Sequence, residues 1–141
     1  MPSSERTQKN LQMVKEHVDV ENQHDIEATM ATLEDDCFRD EVDTLDPYIG
    51  KRAVADRYLE IWRIFPDFKV TPVNLVATDD YVFMEAEVTG SHKGVYNGIP
   101  GTGRSFKIRN IVVFPFKGPR IEGERIYWDS ASRLKQLGLL K

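Results

Sequence analysis

The stretch Tyr127-Trp128-Asp129-Ser130 places a carboxylate where an alternating, strand-like run gives way to a short helical one that ends in Gln-Leu-Gly. A carboxylate at such a junction has two readings. As the first residue of DSASRL it is an N-cap, accepting from the free amides of the helix that follows; Ser132 in place of Glu or Gln means that there is no capping box. In an apolar pocket its charged form is instead destabilised, its pKa rises toward the working pH, and it can take and return a proton. An enolate formed that way needs a hydrogen-bond donor. Asn110 is the single polar member of the alternating set Phe106, Ile108, Asn110, Val112, Phe114 and Phe116, so it points into the interior or a cavity. His92 lies at a strand end, entering the glycine-rich loop SHKGVYNGIPGTG, from which a histidine can reach a pocket mouth. Both have plainer readings, an asparagine that satisfies a buried backbone group and a surface histidine.

Around these lie candidate substrate contacts. The strand from Tyr81 divides into Val82, Met84, Ala86 and Val88 on one face and Tyr81, Phe83, Glu85, Glu87 and Thr89 on the other. The second face mixes rings with acids, and Glu85 is the better candidate for a wet pocket, with a dimer surface or a solvated sheet face as the alternatives. Tyr58, Trp62 and Phe65 gather on one side of a helical segment and can wall a pocket for a ring-bearing substrate, although packing under a sheet explains them equally well. Tyr127 and Trp128, flanking Asp129, complete the set.

Several chemistries are disfavoured. The single cysteine, Cys37, excludes an internal disulfide and a thiolate metal cluster within one chain. None of the three histidines forms a two-histidine ligand pair, so no metal site is expected, and a solvated helix face is expected for His17 and His24. GIPGTGR leads into a strand rather than a helix and makes no phosphate loop, and Gly-x-Ser-x-Gly is absent. A net charge of -4 argues against a nucleic-acid partner. No apolar run approaches the roughly 18 residues of a membrane span. The polar start MPSSERTQKN has no apolar segment of a secretory signal, so a cytoplasmic address is expected.

The elements that must hold these residues follow from hydrophobic period. With 141 residues, 40% of them apolar, the chain is expected to form one domain over residues 1–141. Leu11, Val14 and Val18 predict a first helix over about residues 5–21, and Asp25 caps a second, shorter one carrying Ile26, Met30 and Leu33. CFRDEVD reads as a modest strand. A third helix runs from about Lys51 to Phe65 and stops at Pro66. Then the period becomes two: FKVTPVNLVAT, YVFMEAEVTG, RSFKIRNIVVFPF and RIEGERIYWD predict an antiparallel meander with turns at DD and KGPR, and Pro115 marks an edge or bulge. Helices first and strands after is the order of an α+β domain.

IWRIFPDF, GSHKGVYNGIPGTGR, VVFPFKGPRI and YWDSASRLKQLGLL, in that order over nearly the whole chain, resemble the SnoaL-like polyketide cyclases (ester cyclases) of the NTF2-like superfamily. The resemblance implies a cone in which a curved antiparallel sheet wraps a long helix and encloses an apolar cavity, a homodimer, and no cofactor. It further implies that Asp129 is the general acid/base of an intramolecular aldol closure of a polyketide-like substrate. The alternatives are an isomerase or dehydratase of a small cyclic metabolite, or a non-catalytic ligand-binding dimer. Some members carry a histidine on the strand before the final hairpin; residues 105–116 have none, which leaves Asn110 or His92 to polarise the substrate.

Overall fold

The computed structural model describes residues 3–140. Helix α1 (Glu5–Asn22) is capped by Ser4, whose hydroxyl accepts from Thr7 N at 3.0 Å, and α2 (Ile26–Ala31) by Asp25, which accepts from Ala28 N at 3.0 Å. Strands β1 (Leu33–Glu41) and β2 (Tyr48–Ile49) come next, then α3 (Lys51–Ile64). The meander is β3 (Lys69–Ala77), β4 (Tyr81–Ser91), β5 (Ser105–Lys117) and β6 (Arg120–Trp128), and a short α4 (Ser130–Gln136) closes the chain.

All six strands form one sheet in the order β2-β1-β6-β5-β4-β3. The meander pairs antiparallel as expected, but β1 runs parallel to β6, so the sheet is mixed rather than wholly antiparallel. These two strands are far apart in sequence and share no hairpin, and apolar parity carries no information about strand direction. Register shifts interrupt β1–β6, β3–β4 and β5–β6, and such bulges bend the strands that carry them. Pro115, which has no N–H to give, falls within the β5–β6 shift.

The concave face packs on the helices. Val14 and Val18 of α1 and Val54, Tyr58, Ile61 and Trp62 of α3 lie in one core with Val82, Met84, Ala86 and Val88 of β4 and Phe106, Ile108, Val112 and Phe114 of β5. The other face of the meander is open: Val73, Val76, Tyr81, Phe83, Ile111 and Tyr127 are all exposed.

The glycine-rich segment after β4 is pinned to the end of α3. Lys93 N and Gly94 N both donate to Ile64 O, at 2.9 and 3.0 Å, while His92 and Arg104 close the base of the loop through a backbone bond of 2.8 Å. Gly94 is required by this close approach, because a Cβ there would sit 2.5 Å from the Arg63 carbonyl oxygen. Gly94→Ala is therefore expected to lower the stability of the folded chain by about 1–3 kcal/mol, read as a fall in the urea midpoint at unchanged slope.

Candidate functional site

Asp129 is the N-cap of α4: it is exposed, and its Oδ1 accepts from Ser132 N at 3.2 Å. It borders an open pocket of about 260 Å³ together with Glu85, Arg109, Ile111 and Tyr127. Glu85, Ile111 and Tyr127 are successive cross-strand partners whose neighbours along the strands are buried or, for Trp128, half-buried, so this pocket lies on the convex face of the sheet. Asn110 and Trp128 border it too, but both also line the interior. Asn110 is only 5% exposed and Trp128 packs edge-on against Phe68. The structure thus brings Asp129, Glu85 and Tyr127 together and turns the Asn110 side chain to the opposite face.

His92 is fully buried rather than at a pocket mouth. Its Nδ1 pairs with Thr102 Oγ1 at 3.1 Å, and its ring lies against Phe65 and Tyr96, away from the Asp129 pocket. Trp62 stacks on His24, the ring centroids 4.7 Å apart, and His24 in turn bonds Phe68 O. Phe65 walls a separate interior void with Trp128. Of Tyr58, Trp62 and Phe65, Tyr58 alone engages a charged group.

That group belongs to a buried cluster the sequence does not announce. Glu124 on β6 is its centre. Its Oε1 accepts from Tyr58 Oη at 2.7 Å and lies 2.7 Å from His17 Nε2, while its Oε2 accepts from Arg39 Nη1 at 2.9 Å. Arg39 Nε also donates to Glu41 Oε2 at 2.9 Å, and Arg57 holds both Glu41 oxygens at 2.7 Å. The expectation that His17 sits on a solvated helix face is corrected: it is completely buried, because it shares the inward stripe of Val14 and Val18.

The protonation of His17 follows from its partners. Thr32 gives its only hydroxyl hydrogen to Thr29 O at 2.7 Å, so at the 2.7 Å contact with His17 Nδ1 the ring must be the donor. Nε2 faces a carboxylate oxygen and donates as well, which makes the ring an imidazolium. Burial opposes that charge, but the hydrogen bond to Glu124 and its negative charge outweigh it and hold the His17 pKa above 6.5. For Glu124, burial is likewise outweighed by His17, Arg39 and Tyr58, and its pKa is held down at about 2.

Glu21 is the carboxylate left over. It lies one helical turn from His17, 3.8 Å from Nε2, a distance too long for a hydrogen bond. Burial destabilises its charge more than His17 compensates, with Glu124 adding repulsion, and its pKa is pushed up to about 7. Glu21 borders a small space of about 20 Å³ with Arg39, Asn110, Glu124, Phe68 and Trp128, room for about one water. Asn110 and Trp128, partners across β5 and β6, each have a buried polar atom with no hydrogen-bond partner among the described residues, Oδ1 and Nε1. A carboxyl with a raised pKa, an amide oxygen and an indole N–H therefore border one small space. No group of three or more His, Cys, Asp or Glu among the described residues is arranged to hold a metal ion.

Comparison with known proteins follows the same lines. The family model for SnoaL-like polyketide cyclases matches residues 11–137. A candidate SnoaL-like polyketide cyclase from Jannaschia sp. CCS1 superposes with a TM-score of 0.90 at 16% identity, covering 100% of this chain and 99% of its own. A protein with a ketosteroid isomerase-like fold from Catenulispora acidiphila DSM 44928 gives 0.77 at 17%, with 90% and 92% covered. An LEH-like epoxide hydrolase from M. tuberculosis gives 0.75 at 19%, with 93% and 90% covered. At these identities the likeness establishes the fold. A comparison with curated protein sequences finds no match.

The cluster predicts a stability profile with two arms. Glu124 and Glu41, both held at about 2 against an ordinary 4.5, contribute stability present above pH 4.5 and lost as pH falls toward 2. His17, raised from 6.5, contributes stability present below pH 6.5 and lost as pH rises through its folded value, and Glu21 adds a cost that grows between pH 4.5 and about 7. Stability is thus expected to peak in mildly acidic solution. Glu21→Gln removes its share of the alkaline arm: relative to the parent it gains on the order of 3 kcal/mol as pH rises from 4.5 through about 7, from some 1.4 kcal/mol per pKa unit. Urea melts of both proteins across this range check it; parallel curves would refute the assignment.

Proposed function

Because the chain belongs to the SnoaL-like polyketide cyclase family, we propose that it is an acid–base enzyme that cyclises or isomerises a small carbonyl-bearing metabolite inside the cone, with Glu21 as the proton-transferring carboxylate. The family supports an activity of the cyclase or isomerase type. The observation that carries the finer reading is the shared void: Glu21, with its pKa at about 7, faces it beside the unpartnered polar atoms of Asn110 and Trp128. Glu21 takes a proton from the carbon next to a substrate carbonyl, and a base with a pKa near the working pH does so while remaining able to give the proton back. The developing enolate oxygen is met by the Trp128 N–H, a donor with no other partner among the described residues, while the unpartnered Oδ1 of Asn110 accepts from a donor group of the substrate. Attack of the enolate on a second carbonyl closes a ring; return of the proton at another carbon isomerises. All these roles fall to side chains, so the scheme needs no cofactor.

A second reading keeps Asp129 as the acid/base. It is favoured by the family resemblance around YWDSASRLKQLG and by the pocket of about 260 Å³ that Asp129 borders on the convex face. The two are separated by proton exchange into an enolisable ring ketone, β-tetralone, followed by NMR in deuterium oxide. Glu21→Gln is expected to cut the catalysed exchange by about 100-fold or more, with Asp129→Asn close to the parent. The reverse pattern assigns the chemistry to Asp129, and exchange no faster than in buffer, with other ring ketones equally inert, overturns both.

We further propose that two copies of the chain pair through the convex face of the sheet, where Tyr81, Phe83, Ile111 and Tyr127 form an exposed apolar surface. Phe83→Glu places a charge in that contact and is expected to convert a dimer into a monomer by light scattering, with the fold retained by circular dichroism. A parent protein that is already monomeric at tens of micromolar would overturn the pairing.

A further inference from the structure

His17 has charge at one ring nitrogen and a hydroxyl at the other. Its Nε2 has Glu124 of β6 at 2.7 Å, the Tyr58 hydroxyl of α3 at 3.3 Å and Glu21, on its own helix, at 3.8 Å. Phe114 of β5 packs edge-on against the ring, the centroids 5.8 Å apart, and Arg39 of β1 lies near enough to oppose a positive charge. Nδ1 meets the Thr32 hydroxyl at 2.7 Å and bonds nothing else among the described residues.

That hydroxyl is not free to turn. Thr32 is the C-cap of α2 and is 3% exposed. Its N–H and its hydroxyl both donate to Thr29 O, at 3.2 and 2.7 Å, and its own carbonyl oxygen accepts from Ile121 N at 3.0 Å. A hydroxyl has one hydrogen, and a threonine at a helix end readily spends it on the carbonyl three residues back. Only lone pairs are left for His17. A ring without a proton on Nδ1 would set two acceptors 2.7 Å apart, and one without a proton on Nε2 would face the Glu124 carboxylate with a lone pair. Both protons are therefore held, one by each neighbour.

The beneficiary is Glu21. His17 is the only cation within 4 Å of it among the described residues. Burial and the nearby Glu124 charge both work against the Glu21 carboxylate, and the His17 charge, with Arg39 behind it, is what opposes them. With a neutral ring in its place, Glu21 would hold its proton to higher pH and stand idle as a base in neutral solution.

We propose that Thr32 is a positioning residue for the proton transfer: by accepting from Nδ1 it keeps His17 doubly protonated, and the charge so fixed keeps Glu21 in its basic form near neutral pH. This rests on the interior reading of the reaction given above, in which Glu21 is the base.

The test is a pH profile. Exchange of β-tetralone in deuterium oxide, corrected for the buffer rate, is expected to rise through about 7 in the parent as Glu21 loses its proton. Thr32→Val keeps the branched shape without the hydroxyl; its profile is expected to move up by about one pH unit and reach the same plateau. Thr32→Ser, which keeps the hydroxyl, restores the parent profile. A merely structural role would lower the plateau and leave the midpoint in place, and that outcome overturns the proposal. Nitrogen NMR of the His17 ring gives a reading that needs no substrate: two protonated nitrogens are expected in the parent at neutral pH, and a single one overturns the proposal even if Thr32→Val does not fold. Exchange that survives in Glu21→Gln instead removes the base assignment, while the His17 spectrum and a carbon-NMR titration of Glu21 in the parent and Thr32→Val still judge the role of Thr32.

Discussion

Glu124 is the point on which the interior depends. It sits on β6 in the middle of the sheet and takes hydrogen bonds from α1 through His17, from α3 through Tyr58 and from β1 through Arg39. One carboxylate thereby ties both long helices to the sheet. Desolvating such a charge costs several kcal/mol and is tolerable only when its oxygens are saturated with donors, as they are here. Removing one partner from a cluster of this kind typically costs about 3–5 kcal/mol, because the remaining charge is then buried unpaired. The helices are therefore set against the sheet by an electrostatic constraint as well as by the packing of Val14, Val18, Val54 and Ile61.

The same constraint produces Glu21. Three cations, His17, Arg39 and Arg57, face three carboxylates, Glu21, Glu41 and Glu124, but the donors are unequally shared. Glu124 and Glu41 take them at hydrogen-bond distance, and Glu21 receives only a long contact with His17. Proximity to a saturated cluster does not stabilise an acid that is itself desolvated, so the pKa of Glu21 rises while that of Glu124 falls. Two acids pushed in opposite directions by one environment is the pattern by which a fold separates a proton-transferring group from a fixed charge.

Much of the fold was legible in the sequence, and most of the interior cluster was not. The stripes of α1 and α3 and the alternation of β4 and β5 are strong periodic signals, and the N-cap role of Asp129 followed from DSASRL alone. His17 and Glu21 did carry a signal, since polar residues three and seven places after Val14 fall on its stripe, yet charge on a helix more often marks the solvated side. β1 was harder. Leu33, Cys37, Arg39 and Glu41 are its buried residues, so the inward face mixes two apolar side chains with two charged ones while Phe38 falls on the other face, and parity gives only a weak signal. Glu124 shares parity with Ile126 and Trp128, but its burial depends on Arg39, which arrives through a parallel pairing that no local pattern encodes. Long-range ionic complementarity is a property of the assembled sheet.

The sheet also separates Asp129, the acid that the sequence singled out, from Glu21, which it did not. Asp129 stands at the end of β6, exposed and bonded to a backbone amide, bordering a pocket shared with Glu85 and Tyr127 on the convex side. Glu21 stands on the concave side, buried and with no side-chain hydrogen bond among the described residues, bordering the same space as Asn110. Alternation places Asn110 and Ile111 on opposite faces, so one strand serves both spaces with neighbouring residues. Proton abstraction from carbon gains most where water is excluded and the donors are already in position, because the fixed dipoles then act in a low dielectric and need no reorganisation. On the concave side the Trp128 N–H borders the same space as Glu21 and has no partner among the described residues, which is why the proposed proton transfer is placed there.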